Sequence, residues 1–478
     1  MVNGIDYVII VLYFVVLLGA GFFALKKAKS KDDYLVAGRM LPLPMFTACM
    51  AAVVIGGGCT LGGSELAYNN GISAIWLGIM YALGVGLLGF FMSTKMANMR
   101  ILSTNEGVGL FYGQQARLVS ALVTLIYIFM IAVLQVIGMG SIIHAMLGWS
   151  IPVSMIAGGG IILVYLFIGG MWAVAFTDII QFIIMTIGIL VLGPYFALQA
   201  VGGFEGLTTT LPDSYFDMTT LGWPRITAYI LLLVPGFLVG QDIWQKAFTA
   251  KTPKIAKKGI MLASGYILIY AVGTVILGMA LFAFNPGLTD TKLTFATAAI
   301  TFMPPGVRGL VLAAALAAIM STANGGILGS STVIYNDIIC RYIKVPENKE
   351  IWVNRFLAAG VVVLTVIVSL WLQSVLVALD VAYAYLSGCV FVPLVAAFLL
   401  KRVSARAGLY ALCASFVTVT FFFFKDGITA LTPIQYGIAV SVIVFVVVNA
   451  IDKKKTEIRF ENGEVIDVAA EREAAKIS

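Results

Sequence analysis

Five ionisable side chains fall within or at the ends of long apolar stretches of this 478-residue chain: Glu65, His144, Asp178, Asp242 and Asp380. An ionised group at the centre of a membrane span costs roughly 3 kcal/mol and needs a reason. Acids outnumber bases there, and no lysine or arginine falls at mid-depth. A site for a large organic anion usually offers a cation. These residues therefore favour a cationic, zwitterionic or neutral solute, although helix N-termini or a bound metal ion are routes for an anion. A second group is neutral: Ala317-Ala318-Ile319-Met320-Ser321-Thr322-Ala323-Asn324-Gly325. Adjacent hydroxyls in an apolar helix can bond back to carbonyls one turn earlier. They can also serve as ligands. Ala318 and Ser321 share a helix face. The Ala318 carbonyl with the Ser321 and Thr322 hydroxyls, facing unwound carbonyls of another helix, gives about five neutral oxygens, a shell that suits a hard monovalent cation.

Unwound carbonyls need a broken helix, and two stretches predict one. Gly56-Gly57-Gly58 interrupts the apolar run 43–68, and each glycine costs roughly 1 kcal/mol against alanine in a helix. Pro235-Gly236 interrupts the run 225–245, because proline removes an amide donor. Interruptions at matching places in two halves point to inverted repeats with a binding site at the breaks. The repeats are then approximately 43–200 and 225–400.

The composition agrees with a membrane setting. Hydrophobic residues make up 61%, charged residues 11%, and glycine adds 49 positions. Soluble domains carry about 25% charged residues, so a soluble enzyme or a nucleic-acid binder is excluded. Helices of about 20 residues span a bilayer. Thirteen spans are predicted: 5–25, 43–68, 73–94, 118–145, 151–169, 174–200, 225–245, 258–284, 306–338, 356–377, 379–400, 406–424 and 431–450. With the N-terminus outside and the C-terminus inside, all of the 30 cations but Arg225, Lys292, Arg308 and Lys425 lie on the inner side, as the positive-inside rule requires. The +7 balance is thus a topology signal, not a nucleic-acid signal. The fold expected is an all-α integral membrane protein, with one transmembrane domain over 1–451 and a polar cytoplasmic tail, 452–478, read as a frayed helix. Cys49, Cys59, Cys340, Cys389 and Cys413 show no metal-ligand spacing. No zinc-protease or serine-hydrolase motif is present, so no enzyme is expected.

Four segments together give the chain a resemblance to the sodium:solute symporter family: Tyr34 to Pro42; Tyr165 through Gly169-Gly170 to Gln181; Gly240-Gln241-Asp242-Ile243-Trp244-Gln245-Lys246 with Ala250-Lys251; and Ala317 to Thr322. Carriers of proline, sugars, sialic acid, iodide and pantothenate belong to it. The resemblance implies a LeuT-type 5+5 inverted repeat with one extra helix before and two after. It implies a sodium site at Ala52, Ile55, Ala318, Ser321 and Thr322. It places Asp178 and Gln181 at a second ion or a gate. Members with a second sodium carry further hydroxyls where this chain has Asn324 and Gly325, which puts that ion in doubt. Substrate-facing positions fall on Val54, Gly56, Cys59, Val234, Leu238 and Asp242. Proline carriers have a proline at the Asp242 position, so this acid is a candidate partner for a solute ammonium, or alternatively for Lys246 at i+4.

The function implied is sodium-coupled import of a small organic solute, amino acid- or amine-like, across the plasma membrane by alternating access. The monomer would be the functional unit. Alternatives are sodium-coupled uptake of an organic anion such as a monocarboxylate or a pantothenate-like acid, a proton-coupled carrier, and a channel.

Overall fold

A computed structural model describes residues 2–25, 31–99, 101–461 and 464–467. The side chains of 25, 31, 32, 98, 165–170, 347 and 457 onward fall outside that description, as do Lys26, Lys27, Lys29, Arg100, Arg472 and Lys476 of the cation count. The Tyr165–Gly170 part of the second resemblance segment also lies outside the described side chains.

The chain is almost entirely helical. Its main elements are α1 (Gly4–Leu25), α2 (Leu43–Gly57), α3 (Gly63–Asn70), α4 (Ile75–Leu87), α5 (Thr104–Tyr112), α6 (Gln114–Leu147), α7 (Ile151–Met185), α8 (Trp223–Val239), α9 (Gln241–Ala247), α10 (Pro253–Phe284), α11 (Val307–Thr332), α12 (Glu350–Leu372), α13 (Val375–Tyr385), α14 (Phe391–Leu399), α15 (Ala405–Asp426) and α16 (Thr432–Ile451). Among the described residues, eleven helical stretches are long and apolar enough to cross a membrane, and Ile151–Val164 is a shorter apolar one. The predicted spans five and six belong to one helical element, α7, which continues through a widened turn, Thr186–Leu192, into Gly193–Ala200.

α11 is the central rod: almost every residue from Val311 to Thr332 is buried. It packs against α1, α2, α6 and α7. α10 covers α2, α3 and α4, and α13 lies along α6. α15 and α16 pair with each other at the periphery. Large apolar side chains such as Val8, Trp371, Val417 and Val446 remain exposed, which suits a lipid-facing surface.

The first break falls where the glycines predict it. Gly56 leaves helical geometry at φ 41°, ψ −168°, a region that favours glycine. The second break does not fall at Pro235. α8 runs through that proline to Val239, and the chain turns extended at Gly240 (φ −62°, ψ 126°). The Ser387 hydroxyl donates to the Leu232 carbonyl, the next one along from the Leu231 carbonyl that Pro235 leaves without its helical N–H. At Gly240 the open Leu238 carbonyl accepts the Trp244 indole N–H at 2.8 Å.

The tail corrects the expectation of a frayed helix. Strands Thr456–Glu461 and Glu464–Asp467 pair antiparallel, and Thr456 and Glu457 pair with Val403 and Arg402. The alternating Glu-Ile-Arg-Phe-Glu run ahead of Asn462-Gly463 carries a hairpin signal.

Candidate cation and solute site

The break in α2 leaves carbonyls without their helical donors. The Gly57 N–H, which would bond back to Val53, goes instead to the Gln135 side chain on α6 at 2.9 Å. The Val53 carbonyl accepts the Thr322 hydroxyl from α11 at 2.9 Å. Thr322 Oγ1 also lies 3.3 Å from the Ala52 carbonyl and 3.3 Å from the Ala318 carbonyl. Three of the five predicted cation ligands are thereby joined, the Ala52 and Ala318 carbonyls each meeting the Thr322 hydroxyl. The Ile55 carbonyl takes the Gly58 N–H. Ser321 is turned the other way, its hydroxyl donating to Asp178 on α7 at 2.7 Å. The Val53 carbonyl joins this group without having been singled out by the sequence. Its freedom depends on the long-range Gln135 bond.

Glycine makes the approach of α2 and α11 possible. A β-carbon on Gly325 would sit 2.6 Å from the Val53 side chain.

Lys246 corrects the cation count. It is not a loop lysine. It is 1% exposed on α9 and forms an ion pair with Asp178, which is wholly buried. It does not pair with Asp242 four residues earlier. Asp242 Oδ1 instead accepts the Tyr127 hydroxyl of α6 at 2.9 Å. Gln181 faces α1, its side-chain N–H donating to the Tyr13 hydroxyl at 3.3 Å.

Between the two breaks lies a narrow cavity of about 10 Å³, room for about one water molecule, so its walls must move apart to admit a solute. Val54, Gly56 and Asp242 line it, as expected from the sequence. Cys59, Val234 and Leu238 are not among its lining residues. They sit one helical position from Gly58 and Phe237, or a turn away, and a single-residue step rotates a helical side chain by about 100°. The wall is completed by residues from elements the sequence reading left out: Tyr81 on α4, Gln135 on α6, and Leu379 and Tyr383 on α13. The Tyr81 and Phe237 rings lie 4.6 Å apart between centroids and those of Phe237 and Tyr383 5.2 Å, both pairs tilted. One carboxylate against an aromatic wall with no lysine or arginine is a surface that attracts an organic cation.

A separate polar knot ties α5, α6 and α9 to the turn that follows α11. Arg117 on α6 pairs with the buried Asp337 at 2.7 Å. Asp337 also accepts from Ser103 at 2.9 Å and Asn105 at 3.2 Å. Gln241 on α9 accepts the Thr104 N–H at 2.7 Å. Ser103 caps α5 by accepting the Glu106 N–H at 3.0 Å, a Ser-x-x-Glu signature legible in the sequence.

The model of the sodium:solute symporter family matches residues 34–414. A sodium/proline symporter of Salmonella typhimurium is 26% identical over 368 residues, covering 72% of this chain and 73% of its own. A sodium/proline symporter of Staphylococcus aureus is 25% identical over 489 residues, covering 95% and 94%. Among solved structures, a sodium-coupled sialic acid symporter in a substrate-bound outward-open state superposes with a TM-score of 0.82 at 19% identity, over 95% of this chain and 99% of that one. MhsT in complex with L-phenylalanine superposes with a TM-score of 0.54 at 12% identity, over 85% and 98%. At those identities the structures speak for the fold alone. With the family match spanning most of its length, the chain belongs to the sodium:solute symporter family, and is a multi-pass cell-membrane protein that moves a small organic solute together with sodium.

Proposed function

We propose that sodium binds among the Ala52, Ile55 and Ala318 carbonyls and the Ser321 and Thr322 hydroxyls, and that it drives import of a small ammonium-bearing solute held by Asp242. The observation that carries the first part is the convergence of Ala52, Val53 and Ala318 carbonyls on one hydroxyl, Thr322. Sodium there would tie the broken α2 to α11 and shape the adjoining cavity, which favours the state that takes up solute. The second part rests on Asp242 and the aromatic wall. The curated relatives named above are proline symporters, and an amino-acid ammonium is within this chemistry.

The thirteen-span reading, with the N-terminus outside and the C-terminus inside, completes the proposal. Spans two to six and seven to eleven form the two repeats, approximately 43–200 and 225–400, in one domain that works as a monomer. One sodium falling through about 100 mV supplies roughly 2.3 kcal/mol. A tenfold sodium gradient adds about 1.4 kcal/mol. Together they support accumulation of a neutral solute on the order of a few hundred-fold.

The test is thermal stabilisation of the purified protein across a panel of amines, amino acids and organic anions, with and without sodium, since ligands stabilise by mass action. Sodium-dependent stabilisation by ammonium-bearing solutes is expected. Stabilisation by carboxylates alone would overturn the Asp242 assignment.

A further inference from the structure

Asp178 stands at the meeting point of three elements. It lies on α7, receives the Lys246 ammonium from α9 and accepts the Ser321 hydroxyl of α11 at 2.7 Å. Asp178 and Ser321 are fully buried and Lys246 is 1% exposed. The turn at Gly240 bends α9 so that its last turn reaches this point.

A buried carboxylate beside a hydroxyl, next to a shell of neutral oxygens, is a place where a hard cation would be expected. Here the chain's own ammonium fills it. An inorganic ion at Asp178 would have to push Lys246 away from its anion, and a buried unpaired ammonium is strongly disfavoured. The nearest alternative in sequence, Asp242, holds Tyr127 instead. Ser321 also donates its O–H to Asp178 in a hydrogen bond, which leaves its oxygen lone pairs for sodium. Asp178 is in that sense a positioning residue for the sodium ligand.

We infer that Lys246 is a tethered cation that takes the place of a second sodium at Asp178, so that each cycle carries one sodium. This rests on the sodium reading proposed above. A further ligand is available on the same helix face. Asn324 is one turn beyond Ser321, wholly buried, with neither amide atom hydrogen-bonded. Removing the ammonium would therefore open a site with a free carboxylate and an amide oxygen on the Ser321 face.

The experiment uses sodium alone as the probe. Thermal stability of the purified full-length protein is followed against sodium concentration at constant ionic strength, with N-methylglucamine as the replacement cation. The limiting slope counts the ions bound to the folded state. One ion is expected for the wild type, two for Lys246→Met and one for Lys246→Met/Asp178→Asn. A two-ion slope in the wild type, or a one-ion slope in a folded Lys246→Met protein, overturns the inference. Folding of Lys246→Met only in high sodium would support it, because the ion then replaces the ammonium. If Lys246→Met folds in no sodium concentration while the double variant does fold, Lys246 is only a structural ion-pair partner and the inference is overturned. Failure of the underlying reading looks different: the wild-type slope would survive Ser321→Ala/Thr322→Ala unchanged.

Discussion

The hydroxyl oxygen of Thr322 lies where a β-carbon on Gly56 would have to go, the two being 2.6 Å apart. The Gln135 side-chain nitrogen would be 3.0 Å from the same carbon. Gly56 also holds a positive φ of 41°. A side chain there adds strain of roughly 1–3 kcal/mol and pushes Thr322 away from the Ala52 and Val53 carbonyls. Gly56→Ala is therefore expected to lower sodium affinity at least about tenfold, which is ~1.4 kcal/mol. Gly265→Ala on α10, where a β-carbon would meet nothing within 4 Å, is the control and should be neutral or slightly stabilising. Sodium titration of both purified variants checks this, and equal affinities would defeat it.

The hydrogen bonds Thr322 makes to the Ala52, Val53 and Ala318 carbonyls all run through its hydroxyl. Thr322→Ser keeps that group and should retain sodium-stimulated uptake. Thr322→Val keeps the shape but loses the oxygen, and leaves the Val53 carbonyl buried without its donor, at a cost of about 1–3 kcal/mol. Uptake into proteoliposomes at varied sodium should show the apparent sodium affinity of the valine variant reduced at least about tenfold (~1.4 kcal/mol), with the serine variant near wild type. A valine variant with unchanged sodium dependence would remove Thr322 from the site.

What the sequence made legible were the elements whose signals are local. The Ser321-Thr322 pair, its i, i+3 relation to Ala318, and the glycine run at 56–58 can each be read within one helix. The role of the Val53 carbonyl could not be, because it depends on Gln135, 78 positions away, capturing the Gly57 amide. Pro235 looked like the second break because proline is a strong local signal. The helix nevertheless runs through it, and the chain turns extended only at Gly240, where the Leu238 carbonyl is taken by the Trp244 indole. Lys246 read as a loop cation because it precedes Lys251, Lys254, Lys257 and Lys258. Nothing local announces that Asp178 buries it. Tyr81 and Tyr383 come from helices with no periodic polar signal, so the aromatic side of the cavity emerges only when α4 and α13 are packed against the breaks.

Arg225 and Asp380 form a 2.7 Å ion pair between the start of α8 and the middle of α13, with side chains 22% and 13% exposed. Arg225 also covers the Tyr229 ring at 4.6 Å. Breaking such a pair from one side leaves a poorly hydrated charge, which is worse than removing both. Asp380→Leu/Arg225→Leu should thus melt higher than Arg225→Leu alone. Parallel thermal denaturation in detergent reads this out, and an additive double variant would mean the pair is no more than a hydrated surface contact.

Asp242 separates the solute proposal from its rivals. Its Oδ1 already accepts the Tyr127 hydroxyl, and its residue lines the cavity with Phe237 and Tyr383. A charge-assisted hydrogen bond to a solute ammonium is worth about 1.5–3 kcal/mol, or roughly ten- to 150-fold in affinity at ~1.4 kcal/mol per decade. Asp242→Asn keeps an oxygen acceptor for Tyr127 and nearly the same volume, so folding and sodium-induced stabilisation should persist. The half-saturating concentration for an ammonium-bearing solute should rise by that factor at unchanged sodium dependence. Tyr127→Phe should leave the carboxylate in place and raise it much less. If Asp242→Asn lowers maximal uptake without changing the half-saturating concentration, the carboxylate belongs to the moving parts at the Gly240 break rather than to the solute contact.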